Sequence, residues 1–163
     1  MKKNNGMLVL LGMVIILVSI AAVLLPLGTG FVTAQGDNII GYDFVFGNSS
    51  ARINPEQGGP YGGLITAFVL GCVGGLFQII ALIFSFGQGG KKFVGFMDIV
   101  AGLCFVTTAI LFFLAKSLVG NYLNGNAQIG LTLSWGFLGA AIASAVSGVL
   151  SLGVGFKTFL AKE

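Results

Sequence analysis

Four stretches of this chain, at about residues 7–27, 61–86, 93–115 and 131–156, run almost without charge. Each is near or above the roughly 20 residues that cross a bilayer as a helix. Backbone amides in hydrocarbon find no water, so a spanning segment must satisfy them internally, as a helix or within a closed barrel. Barrel strands alternate apolar and polar residues over about ten positions, whereas these runs are continuous. The expected fold is an all-α integral membrane protein: an antiparallel bundle of four transmembrane helices forming a single membrane domain over residues 1–163.

Composition excludes a water-soluble alternative. The chain is 56% hydrophobic and 8% charged, against about 25% charged in an ordinary soluble domain. It has no His and only two Cys, so metal centres and His-based catalytic triads are excluded. A carboxylate without such partners makes no complete catalytic constellation. The chain is therefore read as non-enzymatic, with no cofactor.

Lys2 and Lys3 ahead of an apolar run, with Val32 and Ala34 spaced like a cleavage site, imitate a secretory signal. The run from Met7 to Leu27 exceeds the usual signal core of about 7–15 residues, so an uncleaved helix is expected. Orientation follows from the lysines, which collect on the cytoplasmic side of short loops. Lys2, Lys3, Lys91, Lys92, Lys157 and Lys162 fall at the termini and the second connection, against Arg52 and Lys116 in the other two. Both termini are expected in the cytoplasm, and the protein in the plasma membrane. The net charge of +3 then reflects topology. Nucleic-acid binding is not expected, since no dense basic patch with interleaved aromatics is present.

The connection from Gly87 to Lys92 is short enough to force the second and third helices into an antiparallel pair. Between Lys116 and Gly130, a short helical extension through Leu118 and Tyr122 is expected to end at Asn124-Gly125-Asn126. The first outer loop, residues 28–60, is the longest. In it Ile40, Tyr42, Phe44 and Phe46 alternate with Ile39, Gly41, Asp43 and Val45, the period of a strand. Pairing with Phe31 to Ala34 across Gln35-Gly36-Asp37-Asn38 would give a small β-hairpin, marginal alone and so packed on the helix ends or on a partner. Ile40, Tyr42, Phe44 and Phe46 are the candidate contact residues. Asn48-Ser49-Ser50 matches a glycosylation acceptor, relevant only to a eukaryotic secretory route.

Four helices with a long, strand-bearing first outer loop form a layout that resembles claudins and other tetraspan proteins. The claudin loop signature of Trp and two Cys is absent from residues 28–60, so the likeness is one of topology and implies no function.

Cys72 and Cys104 each lie 11 residues from the outer ends of their helices, at Tyr61 and Ala115. Without a Cys-x-x-Cys spacing they are read as packing residues. Glycine is abundant, 27 residues where about 7% usage is normal. Lines of small residues four apart, Ala67, Gly71 and Gly75 in the second helix and Gly136, Ala140, Ser144 and Gly148 in the fourth, are expected to bring helices close. A second stripe, Ala143, Ser147 and Ser151, adds hydroxyls. These lines serve packing within the bundle; a homo-oligomer contact or a polar path are the other uses open to them.

Polar residues within the membrane are functional candidates, and here they are Asp98 and Gln78, which the hairpin allows to meet. The simplest expectation for Asp98 is snorkelling to the cytoplasmic headgroups, aided by Lys91 or Lys92 and its helix N-terminus. A buried packing anchor and a coupling site are the alternatives. Two functions follow: an accessory or assembly component working through helix packing and its outer loop among lipid and membrane-protein partners, or a subunit of a small oligomeric channel or transporter using Asp98. Four-helix exporters of the small multidrug-resistance type resemble the second in helix number, but carry their acidic residue in the first helix.

Overall fold

Hydrocarbon offers no hydrogen bonds to a backbone, and the chain meets that constraint with helices throughout its apolar runs. The computed structural model describes residues 5–28, 31–32, 38–39, 41–46, 62–86, 90–122 and 132–161. Four helices are long and apolar enough to cross a membrane: α1 (Asn5–Gly28), α3 (Gly62–Phe86), α4 (Lys91–Phe113) and α6 (Trp135–Phe159). Two short helices, α2 (Gly41–Phe46) and α5 (Ala115–Tyr122), lie in the first and third connections. Several hydroxyls inside the spans are satisfied by their own helix, as in Ser19 Oγ to the Ile15 carbonyl at 2.6 Å and Ser85 Oγ to the Ala81 carbonyl at 2.8 Å. This is the cheapest solution where water is absent.

Span boundaries shift by a few residues from the apolar runs. The fourth was expected from residue 131, but Thr132–Leu133 is a strand, β3, and the helix starts after the extended Ser134. At the other end α6 continues through Lys157, whose exposed side chain carries its charge out of the bundle on an apolar stem. The exposed Lys91 and Lys92 open α4 in the same way. Leu114 separates α4 from α5, its N–H still bonding the Ile110 carbonyl.

Each span buries a stripe at a period near 3.5 residues, widened in α4 by Gly95 and Gly102 against α6. In α4 it is Val94, Asp98, Ala101, Phe105, Thr108 and Phe112; in α3, Leu64, Ala67, Gly71, Gly74, Gln78 and Ala81. A 3.5-residue repeat keeps a seam facing its neighbours as the helices wind left-handedly. It also corrects the expected line in α3. Steps of four drift off such a seam, so Gly74 takes the inner position, while a Cβ at Gly75 would meet nothing within 4 Å. Gly136, Ala140, Ser144 and Gly148 are all buried, on the wider face that α6 turns to α4 and α1.

The helices form a ring in chain order, α1 on α3, α3 on α4, α4 on α6 and α6 on α1, with α4 and α6 in the most extensive contact. There the backbones nearly touch. A Cβ on Gly95 would lie 2.5 Å from the Phe159 nitrogen, and one on Gly155 would lie 2.8 Å from the Ile99 nitrogen. Pairings such as Gly95 with Gly155 and Gly102 with Leu152 run antiparallel. The two termini and the α3–α4 connection therefore share one end of the bundle.

At the opposite end, β1 (Phe31–Val32) pairs antiparallel with β2 (Asn38–Ile39) and with β3, in the order β2-β1-β3. Each strand has two residues, and the turn expected between β1 and β2 lies outside the described residues. The strand expected through residue 46 does not form, because Gly41–Phe46 is helix α2. Helical spacing turns Gly41 and Val45 inward together, and Val45, 2% exposed, joins Leu64, Phe112 and Phe137 in the core. A strand would have placed Val45 on the face opposite Tyr42 and Phe46, with no gain in burial for the set.

Candidate functional site

Asp98 does not snorkel. It is 3% exposed, and its position on the buried stripe of α4 turns it away from the headgroups. Gln78 Nε2 donates to Asp98 Oδ1 at 3.0 Å, and Ser151 Oγ donates to Gln78 Oε1 at 2.8 Å. One amide thus presents its donor to the carboxylate and its acceptor to the hydroxyl, joining α4, α3 and α6. Gln78 and Ser151 are also buried. The internal partners make burial tolerable for a group that is otherwise expensive within a membrane.

No cation balances this carboxylate among the described residues. Lys91, Lys92 and Lys157 are exposed, and no ion pair joins Asp98 to a described Lys or Arg. Beside it lies a cavity, leaving about 30 Å³ for the centres of water-sized molecules, at the end of the bundle that carries the termini. Asp98, Gln78, Ser85 and Thr158 are its polar walls; Leu8, Gly12, Leu82 and Val94 are among the apolar ones. About 10–15 Å³ by this measure admits one water.

Above the cavity, α6 continues a file of buried hydroxyls. Ser147 Oγ lies 3.4 Å from Ser19 Oγ, whose proton goes to Ile15, and so is placed to donate to it, while Ser144 Oγ, 0% exposed, has no hydrogen-bond partner. Thr108 Oγ1 on the neighbouring helix donates to the Ala67 carbonyl at 3.2 Å. The file then stops. Toward the opposite end the interior is apolar, built from Leu64, Phe112, Phe137, Ala140 and Val45, with the Phe112 and Phe137 rings 5.7 Å apart. The Ser144 orphan leads to a simple expectation. Ser144→Ala should leave the detergent melting temperature unchanged or raise it, because it removes a buried hydroxyl that bonds nothing, whereas Ser151→Ala should lower it.

The other candidate residues lie apart from this cluster. Tyr42 and Phe46 are half-exposed on α2, their rings 4.7 Å apart, and Phe46 meets Phe68 edge-on at 5.5 Å. Ile40 and the Asn48-Ser49-Ser50 motif lie outside the described residues, as does the side chain of Phe44. Cys72 and Cys104 are unpaired and partly buried, and the Cys104 Cβ lies 3.2 Å from where a Cβ on Gly74 would sit. Among the described residues no group of three His, Cys, Asp or Glu comes together to hold a metal ion. Ser151 is the member of the polar cluster that a hydroxyl stripe alone did not single out. Its signal was its place on the inner seam of α6 opposite Gln78.

Comparison with protein-family profiles, with curated proteins and with solved structures gives no match to this chain.

Proposed function

We propose that this chain is a non-enzymatic four-helix protein of the cell membrane that acts by associating with other membrane components and does not conduct. One observation carries the reading: among the described residues the interior is closed beyond Ser144. The small residues that could have lined a path are spent on helix contact, with Gly95, Gly102, Gly148 and Gly155 all against neighbouring backbone. Phe112 and Phe137 fill the core beyond Ser144. The surfaces left for function are the lipid-facing sides of the spans and the outer connections, including the aromatic pair of α2. Reconstituted alone into liposomes, the pure protein should pass neither protons nor potassium faster than empty vesicles.

A second reading, a subunit of an oligomeric channel or transporter using Asp98, is favoured by the cavity beside that carboxylate. Flux present in wild type and lost in Asp98→Asn would establish it and overturn the first.

Under both readings the end with the termini faces the cytoplasm, on the strength of the lysine asymmetry. Gly90 and Ser117 are both exposed and lie toward opposite ends of α4. Cysteines placed there, in a background lacking Cys72 and Cys104, should react with an impermeant thiol reagent from opposite sides. Gly90→Cys should be the one reached from the cytoplasm, and labelling from a common side would refute the topology.

A further inference from the structure

We propose that Asp98 is a proton-binding site, loaded from the end of the bundle that carries the termini through the cavity beside it and shut off from the opposite end. This goes beyond the associating role and holds with or without a partner. Three observations lead to it. The first is the missing countercharge. Of the elements packed on Asp98, α1 and the inner half of α3 bring no titratable group among the described residues, α4 brings the exposed Lys91 and Lys92, and α6 the exposed Lys157. Cys72 and Cys104 lie deeper, beside the Gly71–Gly74 turn. Gln78 donates a hydrogen bond but no charge. A buried carboxylate is costly without a partner of opposite charge, and no described Lys or Arg pairs with this one.

The second observation is the size and chemistry of the cavity. With about 30 Å³ it admits one or two waters and no organic substrate. Its charged wall is a single carboxylate, supplemented by the Gln78 amide, whose oxygen is taken by Ser151, and by the Ser85 and Thr158 hydroxyls. Hard metal cations such as calcium and magnesium take about six or more oxygens, and this set is too sparse. A proton needs one oxygen. Hydronium from the cavity gives its proton to Asp98 Oδ2, the oxygen not engaged by Gln78, and leaves as water; release is the reverse.

The third is asymmetry. The cavity walls, Leu8, Ser85, Val94 and Thr158 among them, belong to the ends of the spans nearest the termini. On the far side Phe105, Phe112 and Phe137 are fully buried. The proton therefore enters and leaves on one side. Because Gln78 links the carboxylate to Ser151, its arrival changes the charge on a hydrogen-bonded unit spanning three helices, a local event of the kind that biases packing.

The test uses the full chain in nanodiscs. Infrared difference spectra between acid and alkaline buffer should show the carbonyl band of a protonated carboxyl in wild type, and Asp98→Asn should lose it while melting normally. In proteoliposomes of one orientation, acidifying the compartment at the end with the termini should raise that band, and acidifying the other compartment should leave it unchanged. A band unchanged in Asp98→Asn would overturn the proposal. So would a band that answers to the opposite compartment, or one that follows replacement of sodium by choline at constant pH, which would indicate a metal cation. Flux through liposomes is a separate measurement, so failure of the non-conducting reading remains distinguishable.

Discussion

Gly95→Ala is expected to destabilise the bundle severely for a change of one methyl group. The added Cβ would lie 2.5 Å from the Phe159 nitrogen, 2.8 Å from the Gly155 oxygen and 2.8 Å from the Phe159 Cα. All three belong to the backbone of α6, so no rotamer change can make room, and the two helices must part along their most extensive contact. Overpacking in a well-filled core costs about 1–3 kcal/mol and at times more; the upper end is expected, read as a loss of melting temperature in detergent. Gly12→Ala is the instructive contrast. Its Cβ would meet only the Leu82 Cδ1, at 3.0 Å, and a leucine tip can yield. Gly75→Ala and Gly153→Ala, with nothing within 4 Å, should be silent or slightly stabilising, since alanine is the better helix former by about 1 kcal/mol. Equal losses at Gly95 and Gly153 would mean that α4 and α6 do not meet as described.

The number of spans was legible because the bilayer leaves so little choice. A continuous apolar run in lipid must be helical, and no tertiary contact competes with that. Which face of each helix turns inward was less legible. Ala67, Gly71 and Gly75 look like one line when counted in fours, yet the seam follows 3.5, and only the neighbouring helices reveal that Gly74 is the inner member. On the same count Gly95 and Gly102 in α4 answer Gly148 and Gly155 in α6, a pair of seven-residue spacings that lines of four pass over. The aromatic segment Gly41–Phe46 misled for a different reason. Alternation of apolar and polar residues over so few positions also fits one and a half helical turns, and the choice was made by Val45 finding the core. Asp98 looked shallow when measured from the apolar run. Its destination was set by the side on which it stands, opposite an amide and a hydroxyl that no single helix displays.

Gln78→Leu is expected to cost more than any substitution at its two partners. The amide is the only link between Asp98 and Ser151 among the described contacts, donating to one at 3.0 Å and accepting from the other at 2.8 Å. Its loss strands a buried carboxylate and a buried hydroxyl at once. Stranding a buried polar group costs about 1–3 kcal/mol, more for a charged one. Interhelical bonds in membranes have averaged nearer 0.6 kcal/mol, because a chain unfolded within lipid also finds partners. The two figures assign different variants. Ser151→Ala removes one neutral donor and should cost about the smaller amount, whereas Gln78→Leu leaves Asp98 without its only described donor and should reach the larger. Asp98→Asn keeps an oxygen for Gln78 Nε2 to bond and should melt close to wild type. Asp98→Leu combined with Gln78→Leu gives the sharpest reading. If the two side chains form one unit, the pair should cost clearly less than the sum of the single changes, with a coupling of about 0.5–3 kcal/mol, since the second substitution removes the very group the first had stranded. Additive costs would mean that the carboxylate and the amide are stabilised independently. The three helices would then owe their register to the glycine contacts alone.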